Sequence, residues 1–86
     1  MNINDLIAIV KKKLITQIVI EKIDIEDKSF LHKNHTGHQE GKFHLKLIIK
    51  SKELNNLNRV EGNKKIYKIL NQEIKDHIHS LQILIN

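Results

Sequence analysis

The sequence predicts an α+β fold of order αββαβ: a two-layer sandwich with a mixed three-stranded sheet and its helices on one face. Three observations carry that prediction. Apolar residues near the N-terminus recur at three- and four-residue steps, residues 43–50 alternate between apolar and mostly polar, and a second helical stretch runs into an alternating segment that closes the chain. An antiparallel strand pair followed by a helical crossover to a third strand requires a right-handed connection. The helices then share one sheet face and leave the other open.

Over residues 2–14, Ile3, Leu6, Ile7, Val10 and Leu14 fall on one helical stripe. Asn2 or Asn4 can cap this helix, Asp5 suits its first turn, and Lys11, Lys12 and Lys13 suit the negative end of its dipole. Residues 16–25 are rich in β-branched side chains, with Ile18 and Ile20 on one parity and Ile23 and Ile25 on the other. They read as a strand with a bulge or an end near Glu21 and Lys22. The clearest strand is 43–50, where Phe43, Leu45, Leu47 and Ile49 oppose His44, Lys46, Ile48 and Lys50. Residues 26–41 are long for a hairpin turn, and connections of that length are usually functional or mobile. Residues 54–62 are polar and Asn-rich, after which Ile66, Ile69, Leu70 and Ile74 restore helical spacing to about residue 75. Beyond Ile78, the residues His79, Leu81, Ile83 and Ile85 share one parity, a closing strand with His79 starting on the covered face.

A chain of 86 residues with 40% hydrophobic and 29% charged residues reads as one globular domain spanning residues 1–86. Aromatics are only 3%, so the core must be built from Ile and Leu. The absence of cysteine excludes a disulfide framework, a thiolate zinc site, a cysteine nucleophile and an iron–sulfur cluster held by this chain's own thiolates. Any metal must be held by His or carboxylate. No apolar run approaches the roughly 18–20 residues of a membrane span, and the first residues lack the order of a signal peptide, so a cytoplasmic location without membrane contact is expected. The net charge of +5 is almost all Lys, with Arg59 the only arginine. Bidentate reading of guanine favours Arg, so the composition suits nonspecific phosphate contact better than sequence-specific DNA reading.

No phosphate-binding glycine motif, HExxH pair or nucleophile elbow is present, and Ser29 and Ser51 lack a suitably spaced base. Asp24, Glu26 and Asp27 read as a solvated turn at a strand end. The chain is therefore not expected to be an enzyme. Six histidines stand out: His32, His35 and His38 at three-residue steps in one loop, His44 at a strand start, and His77 and His79 flanking Ile78. Imidazole ligates Zn, Cu, Fe and Ni, so a loop His meeting a distant strand His makes a partial metal site.

These same residues resemble the BolA family along almost the whole chain. Ser29-Phe30-Leu31-His32-Lys33-Asn34-His35-Thr36-Gly37 is similar to that family's Ser-His-x-His-Ala-Gly-His-x-Gly loop in its His-type form, and Glu40-Gly41-Lys42-Phe43-His44-Leu45 is similar to its Gly-Glu-Thr-His-Phe strand opening. Ile66-Tyr67 matches an Ile/Val-Tyr/Asn pair at the head of the second helix, Ile78-His79-Ser80-Leu81 matches Val/Ile-His-Ala-Leu, and no gap is needed between Tyr67 and His79. The chain departs from the pattern where Gly62-Asn63-Lys64 replaces Arg-His-Arg, where Leu54 and Asn56 replace an aromatic and a glycine, and where Phe30 replaces the first loop His.

The resemblance implies a class II KH-like fold and a partnership with a CGFS-type monothiol glutaredoxin in iron–sulfur trafficking or sensing. In that pairing the glutaredoxin and its glutathione supply thiolates to a shared 2Fe-2S cluster. This chain would add imidazole from His79, and from His32 or His35 in the loop. Mixed thiolate and imidazole ligation is chemically sound, as Rieske centres show. The competing reading is a nucleic-acid-binding transcriptional regulator with a KH-like fold, touching phosphates through Lys64, Lys65 and Lys68. The GxxG loop by which KH domains clamp a nucleic-acid backbone is absent, and stacking aromatics are few.

Overall fold

A computed structural model describes residues 1–29 and 42–86. The first helix, α1 (Ile3–Gln17), is capped by Asn2, whose side chain accepts the Asp5 N–H at 2.8 Å. It buries Leu6, Val10 and Leu14, the stripe that the spacing predicts. The helix runs one turn further than the sequence suggests and takes in Thr16 and Gln17, where a strand was expected. Ile18 ends it, donating its N–H to the Leu14 carbonyl at 2.9 Å and burying its side chain to 3% exposure. Leu14 and Ile18 are four residues apart, so the core-facing stripe continues and overrides the β-preference of the β-branched run. The lysine triplet consequently lies inside the helix rather than in its last turn, which carries no basic residue.

Strand β1 (Lys22–Asp27) therefore begins later than expected and absorbs Asp24, Glu26 and Asp27, which the sequence reading assigned to a turn. Strand β2 (Phe43–Lys50) has the expected bounds. The crossover is helical but built from three pieces: α2 (Lys52–Asn55), α3 (Arg59–Ile69) and α4 (Asn71–Asp76). Ser51 caps α2 through the Leu54 N–H at 3.1 Å, and Asn58 caps α3 through the Glu61 N–H at 2.8 Å. Asn58 and Glu61 have the spacing of a capping box, so helix begins within the Asn-rich stretch, earlier than the apolar spacing from Ile66 predicts. At Leu70 the backbone leaves helical geometry, with ψ at 14°, which separates α3 from α4.

Strand β3 (Ile78–Ile85) completes a sheet of order β1-β2-β3, antiparallel between β1 and β2 and parallel between β2 and β3. Leu45, Leu47 and Ile49 of β2 are buried against Leu6, Val10 and Leu14 of α1 and Ile66 and Leu70 of the crossover. Lys50 is exposed and Lys46 half-buried on the opposite parity, so the helices cover one face as expected. An ion pair from Lys13 to the buried Glu73, at 2.6 Å, ties α1 to α4. No helix among the described residues is long and apolar enough to cross a membrane.

Candidate functional site

The parallel ladder between β2 and β3 is irregular at its start. Phe43 is opposite Ile78, but His44 is opposite Ser80, so His79 has no partner in the register. An unpaired extra residue in a strand shifts the parity of what precedes it. Leu81, Ile83 and Ile85 still face inward, as the sequence predicts, but the inward residue before Leu81 is Ile78, at 3% exposure. His79 is exposed instead. Its expected place on the covered face is thus corrected, and with it the explanation of His79 as a core histidine.

What surrounds His79 is a second histidine. The His44 ring centroid lies 4.9 Å from that of His79, with the planes tilted by 59°. His44 is 6% exposed, and its Nδ1 shares a hydrogen bond of 2.6 Å with the Ser80 hydroxyl. Sequence reasoning singled out His44 but gave it no partner, because the register of a parallel pair leaves no local trace in either strand. His77 is not on the strand. It ends α4, donating its N–H to the Glu73 carbonyl at 2.8 Å while its own carbonyl accepts the Phe43 N–H at 2.9 Å. These bonds lock the backbone just before Ile78 and His79. His32, His35 and His38 lie outside the described residues.

Among the described residues no three His, Asp or Glu side chains converge as the ligands of a metal ion would.

The three lysines expected to touch phosphate do not behave alike. Lys64 and Lys68 are exposed on α3, whereas Lys65 donates to Glu53 Oε2 at 2.7 Å. That hydrogen bond, together with the one Glu53 accepts from the Val19 N–H at 3.1 Å, holds the Glu53 carboxyl below the usual glutamate range. Since the folded value lies below the unfolded one, the ionised carboxylate favours the fold at and above the ordinary glutamate range. The contribution fades as pH falls through that range and vanishes below the lowered folded value. In urea unfolding, Glu53→Gln should differ most from the parent near neutral pH and converge with it in acid; a difference that is constant with pH contradicts this. Gly62 is a packing residue inside α3 rather than part of a backbone-clamping loop: a Cβ there would meet Ile85 Cδ1 at 3.3 Å.

The chain is thus a small, cysteine-free αββαβ sheet-and-helix sandwich that exposes the His79 imidazole at the start of its closing strand. The model of the BolA-like protein family matches residues 14–86, and the chain belongs to that family. It is 29% identical over 75 residues to the DNA-binding transcriptional regulator BolA of Haemophilus influenzae, covering 87% of this chain and 70% of that protein. Among solved structures, the BolA domain of SufE1 from Arabidopsis thaliana is similar with a TM-score of 0.77 and 26% identity, over 92% of this chain and 87% of that one. BolA1 from Arabidopsis thaliana shares the fold with a TM-score of 0.79 at 24% identity, over 93% of this chain and 88% of that one.

Proposed function

We propose that this chain is the imidazole-donating partner of a CGFS-type monothiol glutaredoxin, adding His79 and a loop histidine, His32 or His35, to a 2Fe-2S cluster held otherwise by glutaredoxin and glutathione thiolates. One observation carries the reading: His79 is exposed at a register shift, on backbone fixed on both sides by strand pairing. A ligand carried on a strand, held by the paired residues on either side of it, is better placed than a ligand on a loop. A chain without cysteine takes up such a cluster only as cargo shared with a thiolate donor. The test is to mix the folded protein with a cluster-loaded monothiol glutaredoxin and follow size-exclusion chromatography and visible circular dichroism. Co-elution with a spectrum unlike that of the glutaredoxin alone supports the pairing. Separate elution and an unchanged spectrum refute it.

The second reading is nucleic-acid binding, favoured by the similarity to the DNA-binding transcriptional regulator of Haemophilus influenzae and by the exposed Lys64 and Lys68. Contacts of this kind act through counterion release, so DNA affinity should be weak, indifferent to sequence and steeply lowered by salt. Filter binding or fluorescence anisotropy across a salt series measures this. Nanomolar, sequence-selective binding at about 150 mM salt would instead place transcriptional regulation first.

A further inference from the structure

His44 is the buried histidine among the described residues, although it lies on the sheet face that also carries Lys46 and Lys50. Its backbone is fixed on both sides: the N–H donates to Ser29 Oγ at 3.0 Å, and the carbonyl accepts the Lys28 N–H at 2.7 Å. Its side chain is fixed by the 2.6 Å hydrogen bond to Ser80, the residue immediately after the unpaired His79. The two hydrogen-bonded residues face each other across the ladder, where regular register resumes. The paired neighbours of His79 hold its backbone, but a strand backbone leaves more than one χ1 rotamer open, so the direction of an exposed side chain depends on what lies beside it.

We infer that His44 is a positioning residue for His79: anchored on Ser80, its ring is the wall that sets the direction of the exposed imidazole. The positioning of His79 does not depend on the glutaredoxin reading, whereas its consequence for a cluster rests on that reading. Supporting groups that orient a metal-ligating histidine typically contribute about 10–100-fold to affinity. Three substitutions separate anchoring from bulk: His44→Leu keeps a bulky side chain but removes the nitrogen that bonds Ser80. Ser80→Ala removes only the hydroxyl, and His44→Asn keeps a polar atom near the position of Nδ1 while removing most of the ring.

The first readout uses the isolated chain. Three-bond couplings of His79 measured by NMR report whether its side chain occupies one χ1 rotamer or averages over several. The parent should show one rotamer, and Ser80→Ala and His44→Leu should show averaging. His44→Asn should restore the Ser80 contact but only part of the order. The second readout is titration with cluster-loaded glutaredoxin, where Ser80→Ala and His44→Leu should weaken the parent's spectral change by about 10-fold or more. A single, parent-like His79 rotamer in both Ser80→Ala and His44→Leu overturns the inference. Should His44→Leu fail to fold, Ser80→Ala decides the matter. Should the parent itself give no spectral change with glutaredoxin, the partnership reading fails, and the rotamer measurement alone decides the positioning role.

Discussion

His79→Ala should leave the fold intact and remove the distinctive visible spectrum of the complex with cluster-loaded glutaredoxin. The fold should survive because the side chain is exposed and outside the paired register, and substitutions at such places usually change stability by no more than about 0.5 kcal/mol. The spectrum should disappear because no equivalent donor among the described residues stands in the same place. His77 is committed to the end of α4 on the other side of Ile78, and His44 is buried. A loop histidine is different. His32 and His35 are three residues apart, so His32→Ala should have the smaller effect, with His35 able to substitute. The comparison needs the folded variants and the parent titrated side by side. An unchanged spectrum with His79→Ala removes the assignment of this residue as a ligand.

Leu70→Ala should lower stability by about 2–5 kcal/mol, the usual range for a fully buried Leu reduced to Ala. Leu70 is completely buried at the junction of α3 and α4, in one core with Leu6, Val10 and Leu14 of α1 and Leu45 and Leu47 of β2. A small domain with few aromatic residues has little surplus, so a loss of that size is a large share of the total. Urea unfolding reads it as a shift of the midpoint at constant slope. A change within about 0.5 kcal/mol would mean that the helical stripe through Ile66 and Leu70 does not face the core.

Much of the architecture was legible in the sequence because it rests on periodicity. The alternation from Phe43 to Lys50 fixed β2 to the residue, and the spacing of Leu6, Val10 and Leu14 fixed the buried stripe of α1. The misreadings have two causes: burial of Ile18 outweighed its β-preference, and a local capping interaction at Asn58 starts a helix before any apolar periodicity marks it. Ile18 looks like a strand residue but is buried at the helix end, and Asn58 looks like loop but caps a helix whose Glu61 reciprocates. The histidine site was half legible. His79 could be named from its place at the head of the closing strand, but its exposure depends on a one-residue register slip against β2, and no pattern within β3 records it. The contact of His44 with Ser80 joins residues on different strands and was invisible for the same reason.

Ligation by His79 is tested most directly by labelling the histidine rings of this chain with 15N, assembling it with an unlabelled cluster-loaded glutaredoxin, and recording pulsed electron paramagnetic resonance of the reduced complex. A coordinated imidazole must show strong hyperfine coupling to 15N from this chain, and the His79 share of that coupling must be lost in His79→Ala, leaving at most the coupling of the loop histidine. A stable complex with no 15N coupling from this chain, or one whose coupling is the same in His79→Ala as in the parent, would contradict the assignment.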